Sequence, residues 1–291
     1  MNEQQIAALE IDLLVSAIRQ AHGYDFSEYA QASLARRLTA WLAKSGYDSF
    51  GAAMSAVLRD TALCRSLVED VTVNVSDMFR DPVFFRALRA EVVPHLRTYP
   101  HAKIWVAGCA GGEEVLSLAI ILREEGIGDK CRIYATDLNE AVLERARQGM
   151  FDLRDMQRYT RNYQQSGGSA AFSDYYVARY GRALFDPGLL RNVVFAAHNL
   201  ATDADFSEMQ LILCRNVMIY FKPSLKERLL SLFDGCLTPG GFLCLGAKET
   251  LDQRGISPHY REVVSHTRIY RKEYARALRT GTAPGPAGAA Q

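Results

Sequence analysis

"KIWVAGCAGGEEVLSLAI", from Lys103 to Ile120, decides the fold. It reads as a buried strand, a glycine turn at Gly108, Gly111 and Gly112, and a helix that opens on Glu113 and Glu114. Strand, glycine turn and helix together often cradle a nucleotide, because the N–H groups of the helix start face the ligand. In dinucleotide enzymes a pyrophosphate sits there. Glu113 would set a carboxylate against it. Two like charges ~4 Å apart at an effective dielectric of ~20 repel by about 4 kcal/mol. The loop therefore argues against NAD, FAD and ATP. A ligand with cations and no phosphate suits it, and S-adenosylmethionine has an α-ammonium and a sulfonium. The plainer reading is that acids favour any helix N-terminus, by ~0.3–1 kcal/mol.

Working outward, the next strand ends in "YATDLN" and puts Asp137 25 residues after Gly112. A carboxylate at the tip of the strand beside the first accepts ribose hydroxyls. Its other reading is a helix cap, a job that Asn139 could take instead. "LILCRNVMIYF" is a buried strand with Arg215 and Asn216 at its carboxyl end, where ligands collect in open α/β sheets. It lacks the paired prolines of methyltransferases that act on base amino groups, which weakens a nucleic-acid reading.

Strands and helices alternate from Lys103 onward, which predicts a parallel doubly wound sheet. "PGGFLCLGAKE" and "HTRIYRK" are expected to close it as an antiparallel edge pair. The alternation breaks between Phe151 and Asn192, where "FSDYYVARYGRALFDP" predicts a short inserted hairpin. Upstream, three helices are expected. Ile6, Leu9, Leu13, Ala17 and Ile18 mark the first, and Leu34, Leu38, Trp41 and Leu42 the second. Phe50, Ala53, Met54, Val57 and Leu58 mark the third. In "RDPVFFRALRAEVVPHL", Asp81 is a candidate cap, Pro82 suits the first helical position, and Pro94 should kink or end the helix. The expected division is a helical domain over 1–75 and a sheet domain over 76–275, with a small β insert at about 152–193. The Gly/Pro/Ala tail, 276–291, is expected to be disordered.

Composition narrows the classes. A chain of 291 residues, 48% hydrophobic, has ample material for a core. Its 34 basic and 33 acidic residues give no global pull toward nucleic acid or an anionic membrane. None of the six cysteines forms a C-x-x-C pair, so buried free thiols in a reducing compartment are expected. The six histidines lack metal-ligand spacing, so no metal site is expected. No basic n-region opens the chain and no apolar run approaches ~18 residues. The expected location is the cytoplasm, without membrane insertion.

Five segments taken in order, "TVNVSDMFRDPVFF", "WVAGCAGGEEVLSLA", "YATDLNEAVLERARQGMF", "LILCRNVMIYF" and "GGFLCLGAKETL", resemble the chemotaxis receptor methyltransferases, the CheR family. The resemblance runs over nearly the whole chain. It implies a Rossmann-like S-adenosylmethionine-dependent methyltransferase sheet, an N-terminal all-helical domain and a small inserted β-hairpin subdomain. It implies methyl transfer from S-adenosylmethionine to glutamates on a chemoreceptor-like helix, by a monomer. Asn74, Ser76 and Arg80 would lie over the methionine end of the cofactor, Glu113 at its ammonium and Asp137 at the ribose. Asn199 and Leu200 would line the adenine side, and Asn216 and Val217 would close the pocket. Arg80 and Tyr220 are the candidate catalytic residues. Arg80 clasps either the cofactor's carboxylate or the acceptor, and Tyr220 either meets the acceptor or is a core tyrosine. Arg36 and Arg37, with Lys44, would attract a glutamate-rich helix, or they form a solvated face. The hairpin at 172–185 matches an insert that in some relatives grips a receptor tail peptide, or it is a lid. Ser76, Met78 and Leu116 depart from the family's usual threonine, phenylalanine and aromatic residue. Glutamate is already ionised at pH 7, so no general base is required. Two competing readings remain: a cofactor-binding signalling module without transfer activity, and a small-molecule or RNA methyltransferase.

Overall fold

Four helices come first: α1 (Glu3–His22), α2 (Gln31–Ser45), α3 (Phe50–Arg59) and α4 (Thr61–Val71). This computed structural model describes residues 1–72, 76–203, 208–251 and 256–274. Asn74 and the 276–291 tail lie outside them. Local chemistry sets the helix ends. Asn2 and Gln5 form a capping box on α1, and the side chains of Ser49 and Asp60 cap α3 and α4. Leu14, Ile18, Leu38, Trp41, Val57 and Leu67 pack into a core of their own. The sequence reading had three helices here, and α4 is the addition. Its buried Cys64, Leu67, Val68 and Val71 have helical spacing. The face predicted for α1 is also corrected. Ile6, Leu9 and Leu13 are exposed, while Ile11, Leu14, Val15 and Ile18 are buried. The helix has apolar residues on two faces, and only the packing of α2–α4 selects one.

Next, α5 (Pro82–Ala87) runs through a π turn (Leu88–Val92) into α6 (Val93–Leu96). Pro94 does not end this rod. The π turn directly before it relaxes the backbone pattern that proline interrupts. Asp81 does not cap it by its side chain.

The remaining elements are β1 (Ala102–Ala107), α7 (Glu113–Glu124), β2 (Cys131–Asp137), α8 (Glu140–Gln148), β3 (Met150–Asp152), α9 (Met156–Gln165), β4 (Tyr176–Arg179), β5 (Arg182–Phe185), β6 (Val193–Ala197), β7 (Met209–Cys214), α10 (Pro223–Cys236), β8 (Leu237–Leu245), β9 (Tyr260–Glu262) and β10 (Ile269–Lys272). The main sheet has the order β6-β2-β1-β7-β8-β10-β9. Its first five strands are parallel, and β10 is antiparallel to both β8 and β9. The architecture is a Rossmann-like sheet preceded by an all-helical unit. β8 and β10 do pair antiparallel, but the short β9 takes the edge. Strand order reverses at β1, which lies between β2 and β7, so a crevice opens at their carboxyl ends.

The insert is a three-stranded antiparallel sheet, β3-β5-β4, rather than a lone hairpin. β3 is only three residues long, too short for alternation to show. Glu124, at the end of α7, anchors the insert. It accepts the Tyr175 hydroxyl at 2.8 Å and the Tyr163 hydroxyl, and it pairs with Arg89.

Candidate active site

A cleft lies at the carboxyl ends of β1, β2, β6 and β7. One wall comes from the helical unit, through Tyr29, Leu34, Arg37 and Thr72. That wall is bolted to the turn after β7: Ala30 N–H donates to the Tyr220 carbonyl and Lys222 N–H to the Glu28 carbonyl, both at 2.8 Å. Tyr29 packs edge-on against Phe221.

The glycine turn is built for close approach. Gly108 has φ 73°, and a Cβ there would fall 2.5 Å from Val217 Cγ2. Gly112 has φ 90°, and its Cβ would meet that of Ala146 at 2.9 Å. Either would be costly to replace. Asp137 lines the cleft, with one carboxylate oxygen taking Ala110 N–H and the other Asn139 N–H, both at 3.0 Å. Asn139 itself caps α8 through Ala141 N–H at 2.9 Å. Asp137 is thus not the side-chain cap of α8. Burial raises its pKa, and the N–H bonds oppose that rise.

The two glutamates of the helix start diverge. At 3.6 residues per turn, successive side chains point ~100° apart, so only one faces the crevice. That one is Glu114, whose Oε2 lies 2.7 Å from Arg215 Nη1. Arg215 Nη2 lies 2.7 Å from Asp81 Oδ2, and the guanidinium stacks 3.8 Å from the centre of the Phe84 ring. This explains why Asp81 does not cap α5. Burial raises the pKa of Glu114 despite Arg215. Glu113 is not among the residues that line the cleft. Its carboxylate folds back over Gly111, where an added Cβ would meet both oxygens at 3.0 Å. Its Oε2 is buried without a hydrogen-bond partner among the described residues. Burial, aided by nearby Asp77, pushes its carboxyl up to about 7.

Ser76, Arg80, Asn199, Leu200, Asn216, Val217 and Tyr220 all line the same cleft. Asn74 lies outside the described residues. Phe79 (φ 52°) and Asp81 (φ 60°) hold left-handed backbone on either side of Arg80, as do Ala110 and Asn216 nearby. Each such residue stores roughly 1–3 kcal/mol, and such strain clusters at functional sites. Met78 and Leu116 are fully buried in the core, so these departures from the family pattern do not touch the cleft.

The two docking arginines separate. Arg37 is a cleft residue, with its guanidinium 5.6 Å from the Tyr220 ring centre. Arg36 is exposed and shares a shallow depression with Arg37, Lys44 and Asp70. Lys44 pairs with Asp70 at 3.4 Å. Sequence reasoning missed Tyr29, and it gave no role to Arg215 or to Glu249, a buried carboxylate against the turn after β7. No local pattern marks these residues, because their partners are far away in the chain. Among the described residues, no cluster of His, Cys, Asp and Glu could hold a metal ion.

Residues 9–72 match the all-alpha domain of CheR methyltransferases, and residues 74–268 match their SAM binding domain. The chain belongs to the CheR methyltransferase family. S-adenosylmethionine is its methyl donor. A Pseudomonas putida protein provisionally named methyltransferase Cher3 is 46% identical over 94% of this chain and 100% of its own length. The chemotaxis protein methyltransferase of Listeria monocytogenes is 30% identical, over 84% and 92% of the two chains. Chemotaxis protein methyltransferase 1 of Pseudomonas aeruginosa is 28% identical, over 88% and 95%. The site of this CheR methyltransferase suits the donor. Two carboxylates, Glu114 and Asp137, line the cleft beside the glycine turn.

Proposed function

We propose that this CheR methyltransferase esterifies glutamate side chains on a helix of a signalling protein, a chemoreceptor or chemosensory-type partner. The carrying observation is Arg37 stacked over Tyr220 in the same cleft as the cofactor loop. A guanidinium over a phenol ring offers a carboxylate both charge and a hydroxyl donor. The names of the Listeria and P. aeruginosa relatives support a chemotaxis setting.

The donor supplies an electrophilic methyl on a sulfonium, which an ionised carboxylate attacks in line. In this reading Glu114 holds the ammonium, Asp137 the ribose hydroxyls, and Arg80 and Ser76, with Asn74, the methionine end. Asn199 and Leu200 flank the adenine, and Asn216 and Val217 close over it. Arg37 and Tyr220 orient the acceptor and strip part of its water, and no general base is needed. The protein acts as a cytoplasmic monomer on a partner with a glutamate-rich helix, without nucleic acid or membrane insertion. No helix among the described residues is long and apolar enough to cross a membrane.

The test is incubation with radiolabelled S-adenosylmethionine and host lysate. Protein label that mild base releases as methanol is expected. Base-stable label would instead mean N-methylation, and the glutamate assignment would fall.

A further inference from the structure

We infer that Glu249 is a positioning residue for methyl transfer, a role that rests on the reading just given. Its carboxylate is 5% exposed and gathers four backbone N–H groups. Oε2 accepts Gly246 N–H at 2.6 Å and Asn216 N–H at 2.9 Å. Oε1 accepts Val217 N–H at 3.0 Å and Ile219 N–H at 3.3 Å. Three of the donors belong to the turn after β7 and the fourth to the end of β8. One side chain thus clamps the carboxyl ends of two neighbouring parallel strands.

The clamp acts on residues that need holding. Asn216 has φ 61°, a left-handed conformation that asparagine tolerates better than most side chains and that the clamp holds in place. Glu249 binds the N–H on each side of its Cα. Val217 is thereby pressed against the glycine turn, where a Cβ on Gly108 would meet it at 2.5 Å. Ile219 lies in the single 3-10 turn Met218–Tyr220, whose cap residue, Val217, has no polar side chain. Glu249 supplies that missing cap from a distance, and so fixes Tyr220 beneath Arg37. Both the donor side and the acceptor side of the cleft therefore take their register from this carboxylate. Gly246 belongs to the same device, since a Cβ there would lie 2.7 Å from both Asn216 N and Glu249 Oε2.

Glu249→Gln keeps the shape but turns an NH₂ toward backbone donors. In the full-length protein, calorimetry with S-adenosylhomocysteine should show affinity falling by about tenfold or more, the worth of one lost charge-assisted hydrogen bond. The kcat for methyl transfer should fall with it. Glu124→Gln, a carboxylate with a largely buried side chain remote from the cleft, is the control. It should lower the melting temperature yet leave cofactor affinity unchanged. Gly246→Ala pushes the same turn with Glu249 intact, and should weaken cofactor binding even if Glu249→Gln fails to fold. Wild-type affinity and kcat in Glu249→Gln, or in Gly246→Ala should the first variant not fold, would overturn the assignment. Equal affinity loss in Glu124→Gln would overturn it too. Cofactor affinity is read without any acceptor, so these outcomes stand apart from failure to find a base-labile ester.

Discussion

Arg215 and Glu114 form a buried ion pair at 2.7 Å between the end of β7 and the first turn of α7. Asp81 shares the guanidinium, so one cation joins the cofactor helix to the segment that carries Arg80. Removing one partner of a buried pair typically costs about 3–5 kcal/mol, because the other charge is stranded. Arg215→Met should therefore lower stability by an amount in this range in urea unfolding. A loss below ~1 kcal/mol would mean that Glu114 simply takes up a proton, as its raised pKa allows.

Glu113 and Glu114 should behave oppositely although they are neighbours. Glu114→Gln is expected to weaken S-adenosylmethionine binding in calorimetry, and Glu113→Gln to leave it nearly unchanged. Stability should separate them as well. The Glu113 carboxyl holds its proton more tightly in the folded chain, near 7, than when unfolded, near 4.5. The folded state is thus favoured at low pH and loses ground as pH rises from ~4.5 through ~7, by about 3 kcal/mol in all. Glutamine mimics the protonated form. Glu113→Gln should be more stable than wild type above pH 7 and equal to it near pH 4. Parallel stability–pH curves for the two proteins would show that Glu113 is ionised without penalty.

Asp137→Ala should reduce cofactor affinity by about 10- to 150-fold, the equivalent of roughly 1.5–3 kcal/mol for hydrogen bonds to a charged group. Asn139 already caps α8, so the loss should not be accompanied by melting of that helix. Circular dichroism beside calorimetry checks both halves of the expectation.

Arg37→Ala should raise the acceptor's KM several-fold more than Arg36→Ala, because only Arg37 lines the cleft. Arg36 is exposed, and its effect should be an electrostatic one that fades as salt is raised. Steady-state kinetics at two ionic strengths separates them. Equal, salt-sensitive effects would return Arg37 to a general docking face.

Arg80→Lys keeps the charge but loses the planar fork that binds a carboxylate at two points. If Arg80 serves the cofactor's carboxylate, binding in calorimetry weakens. A tight grip on the acceptor instead would stabilise its ground state and slow attack, since only interactions stronger in the transition state accelerate the step. Intact cofactor affinity with a raised acceptor KM would assign Arg80 to the acceptor.

Local signals were enough for much of this protein. The run from Lys103 to Ile120 specifies strand, turn and helix by apolar length, glycines and first-turn acids. Those features act through neighbouring residues in the chain, so they are legible without a structure. Asp137 at its strand tip and the Asn139 cap follow the same logic. What the sequence left open were choices between equivalent faces and contacts between distant segments. It could not tell which apolar stripe of α1 is buried, because Leu13 and Leu14 both have helical spacing and only the other helices cover one of them. It could not tell Glu113 from Glu114, because a single residue's step of rotation decides which faces the crevice. Nor could it show that Tyr29 and Arg37 join the cofactor cleft, or that Arg215 and Glu249 lock it. Those residues find their partners across 30 to more than 180 positions of chain, and only the closed fold brings the charges, rings and N–H groups within reach of one another.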